Sequence, residues 1–576
     1  MELKFAMIKK KNIKIFDSEK KKSFAVALII WLVMNISGWQ RLYFQDRHRI
    51  DVLFYKGLHL FFLYGIIYLT RVFIKKRNQD KYKTAIRIAA AYFILNIIIL
   101  ITIWPGAFRT DDLITLFYMK GYFIHAWQHF ITSLYYAVCL QTLPFATGLI
   151  IMQIYIISII VGYSISSLTF AYVADKNIRK IYIIILFLTV NFLPVLSYVH
   201  SGFRIALCSF LEFLFIAEIM TAKKENKLLD KVKLNELMIL CILIAVWRTE
   251  GVYYVVIFPV LLFFMKKNID KGLHIYTYCI VAVAAVIMLG HCNNILNLNS
   301  SYSLTATFMP LPDLVRVAEK EGDDELLSDI DLMVDTDKIF QNPDETAETL
   351  FWRKDLIKLP YKNDKNKEYY DKYYNKYIKA YIKLVIKHPK ITFMAMWNNF
   401  LASAGITTIE DGYPLIHSGI HVYDDIFEDE SEMNRLLKEN MIPQQAMVDW
   451  EEEKVSKKLW YESIDSKLNE PTNRNLRKKM LRIIGGINNS GRITVLYRIF
   501  WNLFIPFILI AFCLLYKLYK KDWFTVFIIL GVVGRIPLIF VTSSAPYLMY
   551  YLPAYLMSYI VSFFIILSCI FKKYQK

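Results

Sequence analysis

The chain has 576 residues, of which 56% are hydrophobic, and a mean hydropathy of +0.35. Its apolar residues fall in long uninterrupted runs, which excludes an ordinary soluble globule and reads as membrane crossings of ~20 residues each. The formal charge of +19 calls for no nucleic-acid partner, because the lysines and arginines cluster in short connections between apolar runs, where the positive-inside bias accounts for them. All seven cysteines are dispersed, none at a metal-ligand or paired spacing, and read as packing residues.

In chain order, crossings are expected at about 23–44, 52–74, 85–104, 147–172, 180–198, 203–222, 234–248, 251–265, 273–290, 496–516, 523–541 and 546–571. The first run follows Lys20 to Lys22, lacks a small-residue cleavage site and reads as a retained anchor. The short basic connections lie at the N-terminus, 71–87, 175–180, 223–233, 266–271, 517–521 and the tail. All of them fall on one side if the stretch 111–143 is not counted as a crossing. Both termini are then cytoplasmic in a multi-pass protein of the cell membrane.

The stretch 111–143 has its own reasons for exclusion. Phe130, Ile131, Leu134 and Val138 recur at helical spacing with Gln128, Thr132, Ser133 and Gln141 between them, as in a helix lying in the interface. A short true crossing is the alternative. The pieces flanking Arg248-Thr249-Glu250-Gly251 are each shorter than the ~20 residues of a crossing. They read either as a hairpin turning at the outer surface or as one crossing, 236–265, with an internal ion pair; the hairpin keeps Lys266, Lys267 and Lys271 on the basic side.

Residues 291–495 are too polar and too long for a connection and read as a mostly helical extracytoplasmic domain. The chain thus divides into an N-terminal transmembrane module, 1–290, with a large outer loop at 105–143, then this domain, then C-terminal transmembrane helices, 496–576.

The densest polar cluster is Trp104-Pro105-Gly106-Ala107-Phe108-Arg109-Thr110-Asp111-Asp112, continuing to His125 and His129. Pro-Gly stops the preceding helix and turns the chain. Asp111 and Asp112 also suit the N-cap and first turn of the helix that follows. Further cations are Arg204, after His200-Ser201-Gly202, then Arg248 beside Glu250, and Arg535 inside an apolar run, where an ionisable group is costly and functional by default. The last turn carries Tyr547 and Tyr550 between prolines 546 and 553. That turn reads equally as an interfacial aromatic belt.

Pro-Gly after a span, an acid soon after and a His-bearing helix together resemble the first large outer loop of the GT-C superfamily of polytopic membrane glycosyltransferases, in particular a bacterial group that uses polyprenyl-phosphate sugars. Trp127-Gln128-His129-Phe130 stands where that group has Trp-His-Pro, Arg248-Thr249-Glu250-Gly251 resembles its Arg-x-x-Gly element, and Lys387-His388-Pro389-Lys390 also fits. Here the loop follows the third span rather than the first, and the last turn has Met549 and Tyr550 where most members place an arginine.

The resemblance implies an enzyme: a transferase acting on the outer face. Asp111 or Asp112 would be its acceptor base, and Arg109, His125, His129, Arg204, Arg248, Glu250, Arg535, Tyr547 and Tyr550 would line its substrate site. The implied partners are membrane lipid, a polyprenyl-phosphate sugar and a glycan or protein acceptor. The resemblance fixes no resident cofactor, and a divalent metal is compatible with the class. Glycosyl transfer needs those parts: a carboxylate to take the acceptor's proton and cations to hold the departing phosphate.

A transporter of lipid-linked sugars and a polysaccharide polymerase or ligase are the rival readings; the uneven division around the polar domain counts against the two similar halves common in transporters. Gly-rich phosphate loops, zinc-protease and serine-hydrolase signatures are absent. His417 and His421, near Asp424 and Asp425, sit in no helical pattern and are not read as a metal site.

Overall fold

An apolar chain removed from water must satisfy its own backbone, and helices do so within one segment. The computed structural model describes residues 2–45, 50–124, 129–226, 229–269, 274–296, 304, 306–341, 357–358, 367–407, 471–543 and 545–574, and among them it is helical with no strand beyond isolated bridges. The first twelve helices are α1 (Glu2–Ile36), α2 (Ile50–Lys75), α3 (Asp80–Thr102), α4 (Thr110–Lys120), α5 (Phe130–Thr142), α6 (Ala146–Tyr172), α7 (Lys176–Thr189), α8 (Leu193–Val199), α9 (Arg204–Lys224), α10 (Lys231–Trp247), α11 (Tyr254–Phe264) and α12 (Ile275–Leu296). Then come α13 (Leu311–Glu321), α14 (Asp324–Asp331), α15 (Thr336–Gln341), α16 (Lys367–Lys387), α17 (Pro389–Ser403) and α18 (Arg474–Gly485). The chain closes with α19 (Val495–Phe500), α20 (Phe504–Tyr519), α21 (Trp523–Val533), α22 (Arg535–Thr542) and α23 (Leu548–Ile570).

Eight of these segments are long and apolar enough to cross a membrane, and α7 with α8, bent by 62°, makes a ninth if counted as one. Their outward faces carry large exposed apolar side chains, among them Ile94, Ile98, Ile184, Leu188, Ile280, Ile287, Phe512 and Leu515. Apolar surface on that scale belongs against lipid rather than water. This is an all-α membrane protein. Three of the twelve expected crossings fall short of that standard in the described residues: 23–44 coincides with the end of α1 and a 3-10 turn, Trp39–Leu42, while 234–248 and 251–265 are the short helices α10 and α11.

The bundle has two chemically distinct ends. At one, Glu19 accepts from Arg71 and Lys75, tying α1 to α2. There too Ser166 donates to the Lys81 carbonyl at 2.6 Å and Lys223 to the Phe264 carbonyl at 2.8 Å, while Lys223 lies over the Phe524 ring. The basic connections therefore gather together. Asp175 and Asp230 start α7 and α10 at this end by accepting from their first-turn amides.

At the other end lie Trp104 to Arg109, His200 to Arg204, Trp247 to Gly251 and Ser543 to Tyr550, joined by bonds described below. The α10–α11 pair is a hairpin between these ends: it turns at 248–253, and the Leu229 amide donates to the Asn268 carbonyl at 2.6 Å where it closes. Gly251 makes the turn possible, since a Cβ there would stand 2.1 Å from the Ile244 carbonyl oxygen. The single-crossing alternative for 236–265 is thereby removed.

Helix α5 does not run from end to end. The Phe130 amide is held by Asn293 and the Thr142 carbonyl by Trp39, so α5 lies across the end opposite the basic connections. Its polar residues Thr132, Ser133 and Gln141 are buried along with the apolar ones, so protein covers the face expected to meet the interface.

Within 291–495 the described residues form two parts. Helices α13 to α16 enclose a small separate core that includes Leu314, Val315, Ile330, Tyr377 and Leu384. Helices α17 and α18 pack on the bundle instead, α17 through Trp397 and Phe400 against Phe504, Phe540 and Tyr551. Residues 408–470, with His417, His421, Asp424 and Asp425, lie outside the described residues.

Single cysteines at Asn78, in the exposed α2–α3 turn, and at Ser490, in the exposed turn after α18, should react with an impermeant thiol reagent from opposite sides of the membrane. Labelling of both in intact cells would contradict the two-ended arrangement.

Candidate functional site

The Pro-Gly turn after α3 is built on a glycine for a steric reason. Gly106 has φ +130°, and a Cβ on it would stand 2.3 Å from the Ile150 side chain. Several of the turn's polar groups are taken up by distant residues: Thr147 donates to the Pro105 carbonyl at 2.8 Å, and the Ala107 amide to the His200 carbonyl at 2.9 Å. From α18, Arg477 donates to the carbonyls of Trp104 at 3.1 Å and Gly106 at 2.8 Å. Burial pulls Arg477 down to about 10, which still leaves it charged at neutral pH. Sequence reasoning missed Arg477 altogether.

The turn delivers the chain into α4. Asp112, at the third position of that helix and fully buried, accepts from the Arg109 amide at 3.1 Å and from the Tyr136 hydroxyl at 3.0 Å. That is the reciprocal half of a capping box, fixed from behind by α5. Tyr136 also donates toward the Gly202 carbonyl, so one phenol links the start of α4 to the loop before α9. The carboxylate of Asp112 is thus held by structural bonds. The side chains of Thr110 and Asp111, and the whole of His125, Trp127 and Gln128, lie outside the described residues.

His129 caps α5, its Nδ1 accepting from the Ile131 amide at 3.3 Å, so that its proton sits on Nε2. Burial, reinforced by the charge of Arg204, pushes it down to about 4. It is neutral at physiological pH, a cap and a packing group stacked on Phe130.

The loop's own Arg109 and cations from two other elements lie together here. The Arg109 guanidinium lies 3.9 Å above the Tyr198 ring and donates to Ser197 at 3.1 Å. Arg248, at the turn of the hairpin, is paired with Glu250 at 3.0 Å and lies 5.4 Å from the Tyr550 ring. Both guanidinium groups act on the Tyr198 phenol. Tyr547 packs on Tyr550 with ring centres 6.1 Å apart. Arg204 is buried at the start of α9, and its carbonyl accepts from Trp247 at 2.9 Å, which fixes the hairpin turn to the loop after His200. Burial would raise the carboxyl of Glu250, yet the charge and hydrogen bonds of Arg248 outweigh it and hold the group at about 2.

The structure therefore brings Arg109, Arg248, Glu250, Tyr547 and Tyr550 to one place around Tyr198, with Arg204 and His129 behind them. Arg535 is 1% exposed and paired with Glu212 of α9, an acid absent from the sequence reading. Glu212 also accepts from Tyr254 at 3.2 Å. The reason is dielectric: a guanidinium deep among apolar helices is stable only against a carboxylate. The two pairs lie close enough for Arg535 to act on Glu250 as well. In this structure Arg535 is the buried counter-ion of Glu212.

No family model, curated protein or solved structure matches the chain. Its reading therefore rests on the geometry above: a turn satisfied from three directions, a buried capping acid, and two guanidinium groups each lying over an aromatic ring at one end of the bundle. Such an arrangement suits an anion held between arginines and aromatic rings.

Two outcomes follow. Glu212→Ala should destabilise the protein by ~3–5 kcal/mol by leaving Arg535 buried without its partner, and the double variant with Arg535→Leu should recover much of that loss; thermal unfolding in detergent checks both, and additive losses would contradict the pairing. For His129, a folded-state value near 4 against about 6.5 unfolded means stability is full above pH 6.5 and falls between pH 6.5 and 4. His129→Asn, which retains a capping oxygen, should flatten that slope in unfolding midpoints measured against pH.

Proposed function

We propose that the chain is a membrane glycosyltransferase that moves a sugar from a polyprenyl-phosphate donor to a cell-envelope glycan, lipid carrier or protein. In this reading α1, α10, α11 and the bent α7–α8 pair cross the bilayer with the eight longer segments, giving twelve crossings. The basic end faces the cytoplasm and the site faces outward. The observation that carries it is the seating of two guanidinium groups on aromatic rings at one end of the bundle, Arg109 on Tyr198 and Arg248 on Tyr550. These four residues come from the outer loop, the bent α7–α8 pair, the hairpin turn and the final helix. An apolar bundle gathers such groups at one end when an anionic headgroup has to be held there, and a lipid phosphate reaches that position without leaving the bilayer.

In the reaction, the acceptor hydroxyl gives its proton to a carboxylate as its oxygen attacks the anomeric carbon. The bond from that carbon to the phosphate oxygen breaks, and the polyprenyl phosphate leaves with the electron pair. Arg109 and Arg248 stabilise the charge that develops on the phosphate. We assign the base to Asp111, because Asp112 is buried and engaged by the Arg109 amide and Tyr136. Arg204 and His129 support the walls, and Arg535 with Glu212 supports the hairpin.

The test is transfer from a polyprenyl-phosphate sugar in reconstituted membranes. Asp111→Asn should lower turnover by ~10²-fold or more at unchanged stability, since the amide keeps the shape and loses the proton acceptor. Asp112→Asn should instead lower the unfolding midpoint while the folded fraction stays active. Parent-level turnover in Asp111→Asn would remove the assignment, and movement of intact lipid-linked sugar across the membrane without transfer would replace the enzyme by a transporter.

A further inference from the structure

Away from the loop, the polar cluster at the junction of the small outer core with α17 has the composition of a metal site. Helix α13 ends on Gly322 in the left-handed region, φ 73°, and this turn sets Glu321 and Asp323 on either side of it. His388 is the residue between α16 and α17, where Pro389 begins the new helix. One ligand atom each from Glu321, Asp323 and His388 lies within 4.8 Å of the other two. An acidic pair alone would be an ordinary exposed cluster. What distinguishes this one is the imidazole: the His388 side chain is 10% exposed, and its Nε2 is buried with no hydrogen-bond partner, 3.5 Å from Glu321 Oε2. A buried ring nitrogen aimed at two carboxylates without bonding either is poorly placed as a hydrogen-bonding group and well placed as a ligand.

We propose that Glu321, Asp323 and His388 bind a divalent transition-metal ion, zinc above all. Two carboxylates and one imidazole are a three-ligand set that leaves a fourth position to water, and the imidazole selects zinc over calcium or magnesium. Ligand atoms at ~2.0–2.1 Å from a tetrahedral zinc stand roughly 3.3 Å apart. The His388 to Glu321 separation of 3.5 Å already matches, and the other separations, all within 4.8 Å, close by side-chain rotation, for which the half-exposed Glu321 has room.

The cation now at the carboxylates is Lys387, whose ammonium lies 2.7 Å from Glu321 and 2.6 Å from Asp323. Its side chain is 43% exposed, so it can swing into solvent as the metal takes its place. The ion would staple the α13–α14 turn to the start of α17, the helix whose Trp397 and Phe400 pack on the bundle. It would thus fix the outer core relative to the membrane helices, whether or not the chain transfers sugar.

Binding of zinc chloride to the full-length, tag-free protein in detergent, followed by equilibrium dialysis and metal analysis, tests this. The expected result is one zinc ion per chain, bound at least ten-fold more tightly than calcium. Affinity should fall at least ten-fold in His388→Ala and Asp323→Asn. Lys387→Met removes the competing ammonium and should raise affinity several-fold, an outcome that misfolding cannot mimic. X-ray absorption at the zinc edge should show a single imidazole among oxygen ligands. No saturable binding, binding unchanged in His388→Ala and Asp323→Asn, or affinity lowered in Lys387→Met would each overturn the proposal.

Discussion

The bond between Glu212 and Arg535 is the constraint on which the rest of the bundle depends. Each charge sits in an apolar helix where water cannot reach it, so neither element is stable there without the other. The pair fixes α9 against the junction of α21 and α22, and Tyr254 joins it from the hairpin. With those elements set, the turn at 248–251 has one place to go, and Arg248 arrives beside Tyr550 with Glu250 as its own counter-ion. The position of the hairpin turn is thus set by a buried ion pair between two other elements.

A second economy concerns acids. Two adjacent aspartates begin α4, and the structure occupies one of them fully: Asp112 holds the first turn of the helix and the Tyr136 phenol. Doing so leaves the backbone before Asp111 rigid. A rigid loop matters at a reacting centre, because misplacement by about 1 Å is costly in rate. The same logic extends to Gly106, whose carbonyl and neighbours are spoken for by side chains from α6 and α18 and by the loop after α8.

The sequence made the helices and their two-ended arrangement legible, because hydropathy runs and the placement of lysines are both one-dimensional signals. The Pro-Gly turn was legible for a similar reason: those two residues restrict the backbone wherever they occur. Pairings were not. Arg535 stood out as a charge in an apolar run, but nothing along the chain says that its partner lies 323 positions away. A search for acids in other apolar runs would have raised Glu212. Arg477 gave no signal of any kind, since it sits among Arg474, Lys478 and Lys479 in a helix whose composition suggests a solvated surface. The expected exposed face of α5 failed because its polar residues are buried inside the protein, which periodicity cannot distinguish from facing water.

Arg477 also imposes an order in time. The carbonyls it satisfies, at Trp104 and Gly106, emerge from the ribosome some 370 residues before it does. Until then the turn has only part of its hydrogen bonding, although the helices on either side are already inserted. The nascent protein therefore carries an incompletely bonded Pro-Gly turn through most of its synthesis. The loop becomes rigid only when the last membrane segments are about to follow. A chain that stalls or is cut before α18 keeps most of its membrane anchor yet lacks the clasp that shapes the loop, so completion of the bundle and completion of the site are a single event.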